Sequence, residues 1–178
     1  MKLSKGIKAP NFLYDTPYEK GVDFYSSLKA DHSILIFSRY IGCSLCQLKL
    51  MDMVRIYGEI KKRGGEVFFV LQSAGENAKA RLEEMGVRFP VILDPEETLY
   101  KLYQVTPAKS KFGLISLKVL GLIRKAKKEH IVHGKYEGNE LQLPAAFVVS
   151  KEGVIEFAHY GKHAADYPGN NTLLDMLD

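Results

Sequence analysis

Only two cysteines, Cys43 and Cys46, occur among the 178 residues. A disulfide framework of the kind that staples small secreted domains is therefore excluded. A zinc site would need a second ligand pair, which histidines could supply, with His130 and His133 or His159 and His163 at usable spacings. No apolar stretch approaches the roughly 20 residues of a membrane span. No apolar region follows Met1-Lys2-Leu3-Ser4-Lys5-Gly6, so a secretory signal is not expected. Without one, Asn170-Asn171-Thr172 is a chance match to the glycosylation sequon. The formal charge of +4 is too mild to argue for nucleic acid. Internal repeats and linker-like stretches are also missing. The remainder, 46% hydrophobic and 26% charged, is ordinary for a globular protein. The expectation is one domain over 1–178 in the cytoplasm, with its cysteines serving redox chemistry.

Those two cysteines stand in Gly42-Cys43-Ser44-Leu45-Cys46, after the apolar run Ile34-Leu35-Ile36-Phe37 and before a segment of helical periodicity. Two positions one helical turn apart lie roughly 5–6 Å from each other, within reach of a disulfide. Free N–H groups and the positive dipole end at a helix start favour a thiolate. Strand, C-x-x-C and helix together suit a reversible dithiol/disulfide pair.

Along the chain, Ala9–Asp15 reads as an extended entry, and Val22–Leu28 as a short strand or a strand with one helical turn. Ile34–Phe37, Val67–Leu71 and Pro90–Leu93 are expected strands, the first buried on both faces. Helical spacing of Leu50, Met53, Val54, Tyr57 and Ile60 predicts a helix to Lys62, ended by Gly64-Gly65. Ser73-Ala74-Gly75-Glu76 reads as a capping box. Asp94, Pro95 and Glu97 read as N-cap, first-turn proline and capping glutamate of a further helix. At about 108–140 the β-α alternation breaks for a basic, apolar insertion. Ala145–Val149 and Val154–His159 form a hairpin across Lys151-Glu152-Gly153, and Asn170–Leu177 a closing helix. The expected architecture is an α/β fold with a mixed sheet flanked by helices.

This arrangement resembles the thioredoxin-fold proteins of the peroxiredoxin-like, AhpC/TSA type. The likeness runs from Ala9-Pro10-Asn11-Phe12 through Phe89–Pro95 and Leu102-Tyr103-Gln104-Val105 to the Phe147–Phe157 hairpin. Leu141-Gln142-Leu143, Ala158-His159-Tyr160 and Ala165-Asp166 resemble the peroxiredoxin-like 2 branch, which carries a C-x-x-C. Two departures matter. In the peroxiredoxin pattern P-x-x-x-T-x-x-C, counted back from Cys46, Cys43 takes the threonine position and Arg39 the proline position. The later arginine falls at Pro144, which the thioredoxin likeness makes a cis proline packed beside the disulfide.

The resemblance implies a thiol-dependent oxidoreductase that reduces hydroperoxides or disulfides and is regenerated by an external thiol donor, without a cofactor. By thioredoxin analogy Cys43 attacks and Cys46 resolves; by peroxiredoxin spacing Cys46 is peroxidatic and Cys43 condenses with its sulfenic acid. Its place at the helix start favours Cys43 as the lower-pKa thiol. Arg39 is positioned to stabilise a thiolate or to remain a surface charge, and Tyr40 to wall the site or simply pack. Gly42, where thioredoxins carry tryptophan, permits close backbone approach by a substrate or a tight turn. Gln142 and Pro144 are expected neighbours of the dithiol. The Phe112–Lys128 stretch fits a cover over a sheet edge or pocket better than a membrane-surface helix. A homodimer is left open, as is a binding or sensor module without turnover.

Overall fold

The computed structural model describes residues 2–178. Its frame is a five-stranded mixed sheet in the order β5-β4-β3-β6-β7, made of β3 (His32–Phe37), β4 (Gly65–Leu71), β5 (Val91–Leu93), β6 (Ala145–Ser150) and β7 (Ile155–Tyr160). β3, β4 and β5 run parallel, and β6 and β7 are antiparallel additions. β3 is central, and Ile34, Leu35, Ile36 and Phe37 are all fully buried. That is the burial a strand with no polar alternation requires.

Because successive side chains point to opposite faces, the same strand feeds two cores. Leu35 and Phe37 join Phe68, Val70 and Phe147 on one face, under Phe12 and Tyr14 of β1 (Leu13–Tyr14) and its approach. β2 (Val22–Asp23), α1 (Phe24–Ser27) and α4 (Thr98–Leu102) complete that side. Ile34 and Ile36 join Val67, Phe69 and Val148 on the other face, beneath α2 (Ser44–Lys62), α3 (Gly75–Glu84) and α6 (Asn170–Asp175).

Two expected helix starts are built differently. Ser73 does not cap α3, whose N-cap is Ala74 without a side-chain bond. The Ser73 hydroxyl instead accepts the Ile41 N–H at 2.8 Å and donates to Glu137 at 2.6 Å, so tertiary partners outcompete the local cap. α4 begins after Glu97, which is left-handed with φ 55°, so Pro95 and Glu97 lie outside the helix. Asp94 still serves that helix: its carboxylate accepts the N–H groups of Thr98, Leu99 and Tyr100 at 2.9, 2.7 and 3.4 Å. Asp94→Ala should therefore cost about 1–2 kcal/mol, read as a lowered urea midpoint at unchanged m.

The insertion holds a 3₁₀ turn (Lys111–Leu114) and α5 (Leu117–Lys128), followed by an irregular return segment. It leaves and rejoins the frame at one point, where Pro107 bridges Gln142 and the Ala108 N–H donates to the Leu141 carbonyl at 2.8 Å. Among the described residues no helix is long and apolar enough to cross a membrane. No peptide bond among them is cis, so the expectation for Pro144 is corrected. Its ring packs on Gly161, and its carbonyl accepts the Gly161 N–H at 2.8 Å. The proline thus leads directly into β6 with the trans bond that is the lower-energy default.

Candidate functional site

At the carboxyl end of β3 the chain runs through Ser38–Gly42 into α2, with Cys43 as N-cap and Cys46 in the first turn. This is where open α/β sheets place their sites. Both thiols are free and buried, 1% and 3% exposed, and close enough to hydrogen-bond to each other. Arg39, between strand and motif, reaches both sulfurs. Its backbone N–H points at Cys46 Sγ at 3.4 Å and its Nη2 donates to Cys43 Sγ at 3.0 Å. Nη1 donates to the Glu140 carbonyl at 3.0 Å, which fixes the plane of the guanidinium.

The charge on this pair settles on Cys46. Burial alone would raise its pKa, but the Cys43 thiol, the Arg39 charge, the Ser38 hydroxyl and the Arg39 N–H lower it to about 6. Cys43 moves the opposite way, well above the ordinary thiol range, because it donates to Cys46 and is itself buried. Two interacting thiols lose their protons as a pair, so the dithiol carries one thiolate with a proton held between the sulfurs. The expectation that Cys43 is the lower-pKa thiol is therefore corrected. Helix position counts only the local N–H groups, whereas the lowering comes first from the Cys43 thiol and then from Arg39 and Ser38, just beyond β3.

Access is divided in the opposite sense. A cleft of about 620 Å³ is lined by Cys43, Arg39 and Leu45 on one side and by α5 and the return segment on the other. Cys46 does not line it. The insertion is therefore one wall of the site: Val119, Ala126 and Ile131 pack in one apolar cluster with Cys43, Cys46, Leu45 and Leu48.

Gly42 is where the insertion touches the motif. Its carbonyl accepts the Gly134 N–H at 2.8 Å, and a Cβ at this position would lie 2.3 Å from the Lys135 carbonyl oxygen. The close approach that only glycine permits is thus made by the protein's own backbone. Gly42→Ala must push the return segment outward, with an expected loss of roughly 1–3 kcal/mol, measurable as a lowered melting temperature.

Tyr40 is fully buried but does more than pack. Its hydroxyl donates to Glu140 and lies 3.2 Å from His133 Nε2, and the His133 ring stacks on Tyr136 at 4.1 Å between centroids. The structure thus brings Cys43, Cys46, Arg39, Tyr40 and Gly42 together. Gln142 and Pro144 do not line the cleft. Gln142 Nε2 donates to the carbonyls of Val105 and Leu143 at 3.0 and 2.9 Å, a bracing role at the base of the insertion. Continuing the pairing of Phe37 with Ala145 by one step sets Pro144 across from Ser38.

Ser38, Glu140 and Tyr167 were not foreseen from the sequence, and His133 was read there only as a candidate zinc ligand. Ser38 Oγ lies 2.7 Å from the Tyr167 hydroxyl, behind Cys46. Ser38 was within reach of sequence reasoning, being the residue between the buried strand and Arg39; the other three lie roughly a hundred residues away in regions of no clear periodicity. Among the described residues no three His, Cys, Asp or Glu side chains gather as a metal set. His159 instead bonds the Asp166 carbonyl at 2.9 Å.

A sequence model described as the AhpC/TSA family matches residues 6–158. The chain belongs to the AhpC/TSA family. One curated relative is the thiol-disulfide oxidoreductase ResA of Bacillus subtilis (strain 168), 29% identical over 138 residues, which cover 74% of this chain and 73% of that protein. Peroxidoxin BcpB from Mycobacterium tuberculosis superposes with a TM-score of 0.73 at 11% identity, covering 98% of this chain and 96% of that one. A peroxiredoxin-like protein from Aquifex aeolicus superposes at 0.70 and 15% identity, covering 99% and 87%. These structural likenesses establish the thioredoxin-like fold. An AhpC/TSA protein is a thiol-based redox enzyme, and membership implies a thiol reductant with disulfide or peroxide substrates. Within that family the departure here is local: the guanidinium at the sulfurs comes from Arg39, in the proline position of the peroxiredoxin pattern.

Proposed function

We propose that the protein is a dithiol oxidoreductase in which Cys43 attacks a disulfide substrate and Cys46 resolves it. The observation that carries this reading is the division of labour between the sulfurs: Cys43 lines the cleft, while Cys46, out of the cleft, holds the thiolate beside it. As Cys43 attacks one substrate sulfur, its proton passes to the Cys46 thiolate and a mixed disulfide forms. The second substrate sulfur leaves as a thiolate and takes up the proton that Cys46 then gives up. Cys46 attacks Cys43, the first substrate sulfur leaves, and two electrons have passed to the substrate. An external thiol donor restores the dithiol.

A cleft of about 620 Å³ suits a bulkier partner than hydrogen peroxide, and the threonine position of the peroxide-binding pattern is itself occupied by Cys43. The name of the Bacillus subtilis relative supports the same direction. One observation favours a hydroperoxide: Arg39 Nη2, 3.0 Å from Cys43 Sγ, is placed to stabilise a departing hydroxide or alkoxide. Rapid mixing of the reduced protein with glutathione disulfide and with hydrogen peroxide separates these readings. Disulfide exchange should outpace a free thiolate's, and peroxide consumption should not. The reverse pattern would sink the disulfide assignment. Thiol titration before and after oxidation tests turnover at all, since a module whose cysteines never pair is no enzyme.

A further inference from the structure

Apolar side chains left exposed are concentrated on the insertion. Among the described residues, twelve large hydrophobic side chains have substantial exposure, and seven of them fall between Phe112 and Tyr136. Phe112 and Leu117 are 87% and 88% exposed, more than any other large hydrophobic side chain among the described residues. On α5 the buried positions Val119 and Ala126 face the frame, Leu117 and Leu120 are turned away from it, and Ile123 stands at the boundary, where it also lines the cleft. Exposed apolar side chains gathered on one segment in this way mark an interaction site.

Its charge says what kind. From residue 98 to 128 there is no aspartate or glutamate, but there are seven lysines and one arginine. Lys109, Lys111, Lys118, Arg124, Lys127 and Lys128 are exposed on the same segment. The chain's formal charge of +4 is thus far from evenly spread. A second copy of this face would set cations against cations, which disfavours self-association. Long basic side chains that lie along apolar surface and carry their charge outward suit the boundary of an anionic bilayer.

We propose that this face of the insertion docks on anionic lipid membranes. The inference stands independently of which substrate the dithiol reduces. Ile123 belongs both to these exposed side chains and to the wall of the cleft over Cys43, so docking sets the mouth of the cleft beside the lipid surface.

The test is sedimentation of the full protein with vesicles of phosphatidylcholine alone and of phosphatidylcholine with phosphatidylglycerol. The wild-type protein should pellet with the anionic vesicles at least tenfold more tightly than with the neutral ones, and less as salt shortens the screening length. Phe112→Ser with Leu117→Ser, and separately Lys111→Glu with Lys128→Glu, should each weaken pelleting at least tenfold while the melting temperature stays put. These residues are exposed and lie outside the cleft lining. Equal binding to both vesicles, no binding, or binding that the variants leave intact would overturn the proposal. So would a concentration-dependent dimer that the same substitutions abolish, because the face would then belong to a second copy.

Discussion

Cys46→Ser protein, reduced and mixed with a disulfide substrate, is expected to stop at a mixed disulfide through Cys43. The reason is geometric: Cys43 lines the cleft, and the group that would release the substrate has been removed. Mass spectrometry of the trapped adduct identifies the sulfur. Cys43→Ser should trap nothing and lose disulfide reductase activity by about a thousandfold or more, as removal of a nucleophile does. A stable adduct on Cys46 in the Cys43→Ser protein would reverse the assignment and favour the peroxiredoxin-type reading. The Cys46→Ser protein should also attack slowly, because it lacks both the thiolate and the acceptor for the Cys43 proton.

Arg39→Met should raise the first ionisation of the pair from about 6 by at least one unit. Methionine keeps much of the length but removes the charge that faces both sulfurs, while the backbone N–H to Cys46 remains. The readout is thiolate absorbance or alkylation rate against pH. Wild-type reactivity should fall as pH drops through 6, and the variant's should fall at a higher pH, leaving it several-fold slower at neutrality. Arg39→Lys, which retains a charge but not the planar fork, should recover only part of the shift. An unmoved midpoint in Arg39→Met would remove Arg39 from the chemistry.

The dithiol, the strand before it and the helix after it were legible because each is a local pattern, and the buried run Ile34–Phe37 sits where its composition demands. The β6–β7 hairpin was legible for the same reason. Nothing local tells that Glu140 and His133 meet Tyr40, since those contacts span 100 and 93 residues. Ser73 shows the limit most directly: its spacing to Glu76 is that of a capping box, yet its hydroxyl serves Ile41 and Glu137 instead. The glycine at position 42 was read as a place for close approach, and the structure supplies the neighbour in the chain's own Gly134 and Lys135.

The bond network around Cys46 has an energetic reach beyond nucleophilicity. A thiol whose folded pKa is depressed contributes stability above its unfolded pKa, near 8.5, and that contribution is lost as pH falls through about 6. Cys43, shifted upward, works in the opposite sense, contributing below the unfolded value and losing ground as pH climbs towards its own. Between those bounds the folded chain favours the reduced form, because the disulfide has no thiolate for Arg39 to hold. The same free energy enters the redox couple: it moves the equilibrium towards dithiol and makes the oxidised protein a readier acceptor of electrons. A contact that positions one side chain thereby also sets how strongly the protein draws electrons from its donor.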